Sequence, residues 1–281
     1  MGKVWVIAYA TYHEAARQPI YYVLSISFSL LILLSNLTAL FAFDDEGRMI
    51  REMGASSVVL CGILLSIVTS ATVVTSELER RTALTVLSKP VKREQFLVGK
   101  YLGIVRANLL AFLLLTTSLI GTLWWHDGTE ALEQAARAAH ADPSRIWLFM
   151  RTYAVEQIVP AVACTFLGFL EVAVLSAVCV VMAFYFPMVV TGSVALGLYL
   201  LGHMSRFLFE SFARLGPLAK LVGRVLYLLL PTLDAFNLSD YVAGGGTLSK
   251  GYLALTSLYA ATYVAIVLSV GAALLSKKEI Q

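Results

Sequence analysis

The sequence predicts an all-α integral membrane protein with six transmembrane helices. It adds a helix lying in the membrane plane at the N-terminus, a cytoplasmic amphipathic helix between spans 2 and 3, and an outer re-entrant hairpin before span 6. Three observations predict this. Hydrophobic residues make up 59% of the 281-residue chain and charged residues only 14%, against about 25% charged in a soluble domain. Six apolar stretches approach or reach the roughly 20 residues that a bilayer requires. The most basic long segment, residues 77–100, lies between two of them, and lysine- and arginine-rich loops stay on the cytoplasmic side.

Residues Lys3 to Arg17 place Val4, Trp5, Ala8, Tyr12 and Ala15 on one helical stripe, with Lys3, Glu14 and Arg17 off it. That pattern suits a helix in the interface. No short apolar core with a small-residue cleavage site is present, so the first span is expected to be retained. Pro19 precedes the first span, Ile20 to Phe43, in which Asn36 is a polar interruption expected to face other helices. The acidic run Asp44, Asp45 and Glu46 suits the outer side. Span 2, Ala55 to Ser76, carries Ser66, Thr69, Ser70, Thr72 and Thr75, residues that let helices approach and hydrogen-bond to one another.

In residues 77–100, Arg80, Arg81, Lys89, Lys92, Arg93 and Lys100 oppose Glu77, Glu79 and Glu94, while Leu78, Ala83, Leu84, Val86 and Leu87 form an apolar stripe. Pro90 disfavours helix at Lys89, so a helix here is expected to end near Ser88. Charge and periodicity leave two readings open, a solvated loop that fixes topology or a surface for a soluble partner.

Span 3, Tyr101 to Trp124, has Arg106 near its cytoplasmic end, able to snorkel, and Trp124 and Trp125 at the opposite interface. An outer loop at 126–158 follows, helical at Ala131 to Ala139. Span 4, Pro160 to Phe186, holds Glu171 near its middle. A carboxylate at that depth faces a bundle interior or a water-filled cavity, so Glu171 and Asn36 are candidates for an intramembrane polar path, with buried packing as the alternative. Span 5, Met188 to Phe209, follows the tight turn at Pro187. Arg206, Arg214, Lys220 and Arg224 then fall on the outer side, against the positive-inside tendency; the loop after span 2 together with Lys277 and Lys278 sets the orientation. An outer hairpin region spans 211–250, and span 6 is Tyr252 to Leu275. The chain is expected to form a single transmembrane domain with no internal repeat.

Catalytic motifs are sparse. GGGTLSKG, from Gly244, lacks P-loop spacing, so no ATPase site is expected in this chain. Cys61, Cys164 and Cys179 sit in apolar runs without ligand spacing and read as buried thiols; no metal site is expected. His203, Arg206 and Glu210 have helical spacing, and Arg206 and Glu210, four residues apart, suit a local ion pair. Ser193 lacks a nucleophile elbow. An intramembrane enzyme using Glu171 or His203 would want a second catalytic group with recognisable spacing.

The run Glu77-x-Glu79-Arg80-x-Thr82, Leu84 to Leu87, Ser88-Lys89-Pro90-Val91-Lys92-Arg93 and Gly99-Lys100-Tyr101 resembles the permeases of type-2 ATP-binding-cassette exporters. The chain departs from that pattern at Arg81, where glycine is frequent, and Lys92, where serine is usual. Leu229 to Leu238, LLPTLDAFNL, is similar to the hairpin of the branch with gliding-motility and nitrous-oxide-reductase maturation permeases.

The resemblance implies that residues 77–87 form a coupling helix docking on a separate cytoplasmic ATPase. Glu77, Glu79, Arg80, Arg81, Thr82, Leu84, Leu87, Lys92 and Arg93 would be its contact residues. It implies that ATP and Mg are bound by the partner and no cofactor by this chain. It further implies a permease homodimer or heterodimer among membrane lipids, no nucleic acid, and a prokaryotic inner membrane with both termini cytoplasmic. The competing reading is a membrane scaffold recruiting a soluble protein through the same loop.

Overall fold

The computed structural model describes residues 2–39, 46–79, 92–139, 158–214, 230–238 and 249–277, with 151, 221 and 224. The described residues form helices and turns, without strands. In chain order they give α1 (Lys3–Ala16), α2 (Pro19–Ala39), α3 (Glu46–Glu79), α4 (Arg93–Ala139), α5 (Val159–Ala183), α6 (Met188–His203) and α7 (Ser205–Arg214). A single 3-10 turn (Leu233–Phe236) and α8 (Lys250–Lys277) complete them. Five helices, α2, α3, α4, α5 and α8, are long and apolar enough to cross a membrane.

Three boundaries differ from the sequence expectation. α3 begins at Glu46 and runs to Glu79, so residues 77–79 prolong span 2 and the acidic residues at 46–52 are helical. α4 begins at Arg93 and continues to Ala139, roughly 70 Å at 1.5 Å per residue. It therefore absorbs the end of the basic segment and the first part of the expected outer loop, including the helix at 131–139. The stretch expected as span 5 breaks at Met204, between α6 and α7. The 16 residues of α6 cover only about 24 Å, short of a hydrocarbon core of about 30 Å.

α1 lies along the beginning of α4 because two glycines there remove the side chains that would hold them apart. A Cβ on Gly103 would sit 2.5 Å from Thr11 Cβ and 2.7 Å from the Ala8 carbonyl oxygen; one on Gly99 would sit 2.8 Å from Ile7 Cβ. This is close packing of the small-xxx-small kind. The buried face of α1 is Ala8, Thr11 and Ala15, whereas Trp5, expected on that face, is 57% exposed beside exposed Val6 and Tyr9. The sequence stripe and the buried stripe differ because the glycines select the small residues of α1 for the contact.

α3 and α5 are the most enclosed spans and form the centre of the bundle. Gly62 receives Phe112 of α4 and Val172 of α5, and Gly168 receives Val59. α2 attaches at the side through Tyr21, whose hydroxyl donates to the Ala107 carbonyl at 2.8 Å, and through Ser29, which reaches Ser118 Oγ at 3.0 Å. The 3-10 turn is pinned from α8: the Tyr259 hydroxyl oxygen accepts from the Thr232 backbone N–H at 2.9 Å, and Tyr252 donates to the Ala235 carbonyl at 2.6 Å.

Candidate functional site

Two regions hold the residues of interest: the junction where α3 leads into α4, and the polar interior of the bundle. At the junction, Glu77 and Glu79 are the last residues of α3. Arg80, Arg81, Thr82, Leu84 and Leu87 lie outside the described residues. Lys92 is exposed and caps the start of α4, its carbonyl accepting the Phe96 N–H at 3.1 Å.

Arg93, expected as a partner contact, also makes a contact within the chain. Its Nη1 donates to the Leu275 carbonyl oxygen at 2.6 Å and approaches that of Ser276 at 3.5 Å. The last carbonyls of a helix lack intrahelical donors and carry partial negative charge, so a guanidinium there is stabilising. The start of α4 is thereby tied to the end of α8, across 182 residues of sequence.

Lys100, expected in the loop, is only 2% exposed. Its Nζ lies 3.8 Å from Glu14 Oε2 of α1 and 5.8 Å from the Phe96 ring centroid. One and a half turns on, the Arg106 guanidinium stacks over Tyr12 at 4.9 Å. Charge and aromatic contacts thus reinforce the glycine crossing between α1 and the start of α4.

In the interior, Asn108 of α4, Ser66 of α3 and Ser176 of α5 form a buried polar knot. Asn108 Nδ2 donates to Ser66 Oγ at 2.6 Å and approaches Ser176 Oγ at 3.3 Å, while the two serine hydroxyls are 2.8 Å apart. Ser66 was legible in the sequence as an interface residue; Asn108 was not singled out, although an amide inside an apolar span is itself the signal.

Glu171 is 2% exposed on α5. Its Oε1 lies 3.5 Å from His203 Nε2, at the end of α6, and has no hydrogen-bond partner. The two residues line a recess of about 70 Å³ with Ser56, Cys164, Tyr199 and Asn237, enough for a few water molecules. His203 thus meets Glu171 of α5, while the expected Arg206–Glu210 pair involves a side chain outside the described residues. Asn36 does not line this recess; its Nδ2 approaches the Leu33 carbonyl at 3.4 Å. The two candidates for a polar path are therefore not brought together. Cys61 and Cys179 are buried and Cys164 half-buried, all three free thiols. Among the described residues no cluster of three metal-ligating side chains occurs.

A family model described as ABC-2 family transporter protein matches residues 6–279. No curated protein matches the chain.

Proposed function

This chain belongs to the ABC-2 transporter family, and from that premise we propose that it is the permease subunit of an ATP-binding-cassette exporter. ATP is hydrolysed by a separate cytoplasmic ATPase, and this chain converts nucleotide-driven motion into substrate movement. The observation that carries the reading is the family match, which covers nearly the whole chain. Membership makes the protein an integral membrane subunit and implies an ATP-binding-cassette ATPase as partner.

In this reading the chain makes six crossings with both termini cytoplasmic, in a prokaryotic inner membrane. α6 and α7 together form the fifth crossing, the 3-10 turn belongs to an outer hairpin, and two permease chains assemble with two ATPases. Residues 77–92 are the coupling segment. Arg80, Arg81 and Lys92 pair with acids on the ATPase, and Leu84 and Leu87 provide an apolar anchor. Glu77 and Glu79 set the register of the segment at the end of α3.

The geometry at the junction supports transmission of motion. α3 enters the coupling segment without interruption, and α4 leaves it attached to α1 through Lys100 and Gly103 and to α8 through Arg93. A push on residues 80–91 therefore reaches four helices. Such a push shifts the inward–outward equilibrium only as far as the ATPase binds the two states differently.

The test is recovery of partners from native membranes on tagged, solubilised protein, with Arg80→Glu/Arg81→Glu as control. A P-loop ATPase recovered with the wild type and lost with the charge reversal is the expected result. Recovery of a partner that binds no nucleotide would instead make the chain a scaffold.

A further inference from the structure

We propose that Glu171 and His203 form a proton-binding site, with one proton held between the carboxylate and imidazole Nε2 and closing α5 onto the end of α6. The tautomer carries the inference. His203 Nδ1 lies 3.1 Å from the Tyr199 carbonyl oxygen. A carbonyl only accepts, so Nδ1 bears the hydrogen of that bond. In a neutral imidazole Nε2 is then a bare lone pair. It faces Glu171 Oε1 at 3.5 Å, and among the described residues that oxygen has no hydrogen-bond donor.

Without an added proton, two acceptors confront each other, the carboxylate buried and the imidazole only partly exposed, an arrangement that costs free energy. One proton, carried on the carboxyl as O–H···N, removes the conflict. It arrives from hydronium in the recess, leaves a water molecule behind, and departs to water by the same route.

Among the described residues, no charged side chain besides the pair lines the recess. Titratable and charged groups on the elements packed around it include Cys164 on α5, Tyr199 on α6, Arg51 one turn before Ala55 on α3, and Asp234 on the 3-10 turn. Of these, only Cys164 and Tyr199 line the recess with the pair. The Tyr199 ring lies tilted against the imidazole, with ring centroids 4.5 Å apart.

The position gives the proton a structural consequence. The residue before His203, Gly202, lies against the hairpin so closely that a Cβ there would meet Leu233 Cγ at 2.6 Å and the Pro231 carbonyl at 2.9 Å. The α6 helix ends one residue later. Loss of the proton sets lone pair against lone pair at this joint, so the end of α6 and the hairpin withdraw from α5 and water enters the recess. The protonated pair is the closed state.

The test uses the full chain in lipid nanodiscs and requires no ATPase. Infrared difference spectra across a pH titration are expected to contain a carboxylic-acid carbonyl band that Glu171→Gln abolishes. His203→Gln keeps a hydrogen-bonding side chain but takes up no proton. It is expected to move the midpoint of that band by about one pH unit or more, the scale of two coupled sites. Nitrogen NMR of His203 in the unsubstituted protein, expected to show hydrogen on Nδ1 throughout, covers the case of a poorly folding variant. A band absent at every pH, a midpoint indifferent to His203→Gln, or a neutral imidazole with its hydrogen on Nε2 would each overturn the proposal.

Discussion

Gly99 and Gly103 make a different demand from Gly121, although all three belong to α4. A methyl group on Gly103 has nowhere to go, because one of the atoms it meets is backbone, while one on Gly121 meets nothing within 4 Å. Gly103→Ala is therefore expected to lose about 1–3 kcal/mol through overpacking. Gly121→Ala should gain about 0.5–1 kcal/mol by helix propensity. Thermal unfolding in detergent distinguishes them by the sign of the change. Asn108→Ala belongs to the same scale. It deletes the amide donor of the buried knot but leaves Ser66 and Ser176 bonded to each other. The expected loss is about 0.6–2 kcal/mol, since interhelical hydrogen bonds in membranes are worth little more than in water. A loss well above that range, measured the same way, would mean that the amide carries more than one helix contact.

At the scale of elements, Arg93 is a tie between α4 and α8. Arg93→Ala removes a charge-assisted bond to the Leu275 carbonyl, worth about 1.5–3 kcal/mol and less here because the group is only half-buried. The expected signature is separation of two readouts: partner recovery stays at the wild-type level while stimulated ATP turnover falls. Equal loss of both would return Arg93 to the partner surface. This residue also marks where sequence reading reached its limit. Apolar run length located the five long apolar helices, and Ser66, Thr69 and Ser70 are buried as their small polar side chains suggested. The ends of the basic segment were drawn too wide, because charge reports a loop only when the charges are solvated. Lys100 is buried against Glu14, 86 residues earlier, and Arg93 caps a helix 182 residues later. Neither partner is visible within a local window. The same holds for Glu171 and His203, each legible as unusual in a span, their meeting set by how α5 turns into α6 through residues 184–187.

For the whole molecule, the proposed six-crossing arrangement would put residues 77–92 and Trp125 on opposite sides of the membrane. In a background lacking Cys61, Cys164 and Cys179, Ser88→Cys should react with an impermeant maleimide only from the cytoplasmic side, and Trp125→Cys only from the outer side. Labelling of both from one side would break the topology. The central claim is that the segment between α3 and α4 transmits the work of an ATPase into the spans. The direct measurement is ATP turnover by the co-purified ATPase in nanodiscs containing this chain, compared with Arg80→Glu/Arg81→Glu under conditions where both complexes are fully assembled. Stimulation by the wild type, lost on charge reversal, is the expected result. Turnover that is the same with either chain and with the ATPase alone would contradict the claim, because the segment would then hold a partner without coupling to it.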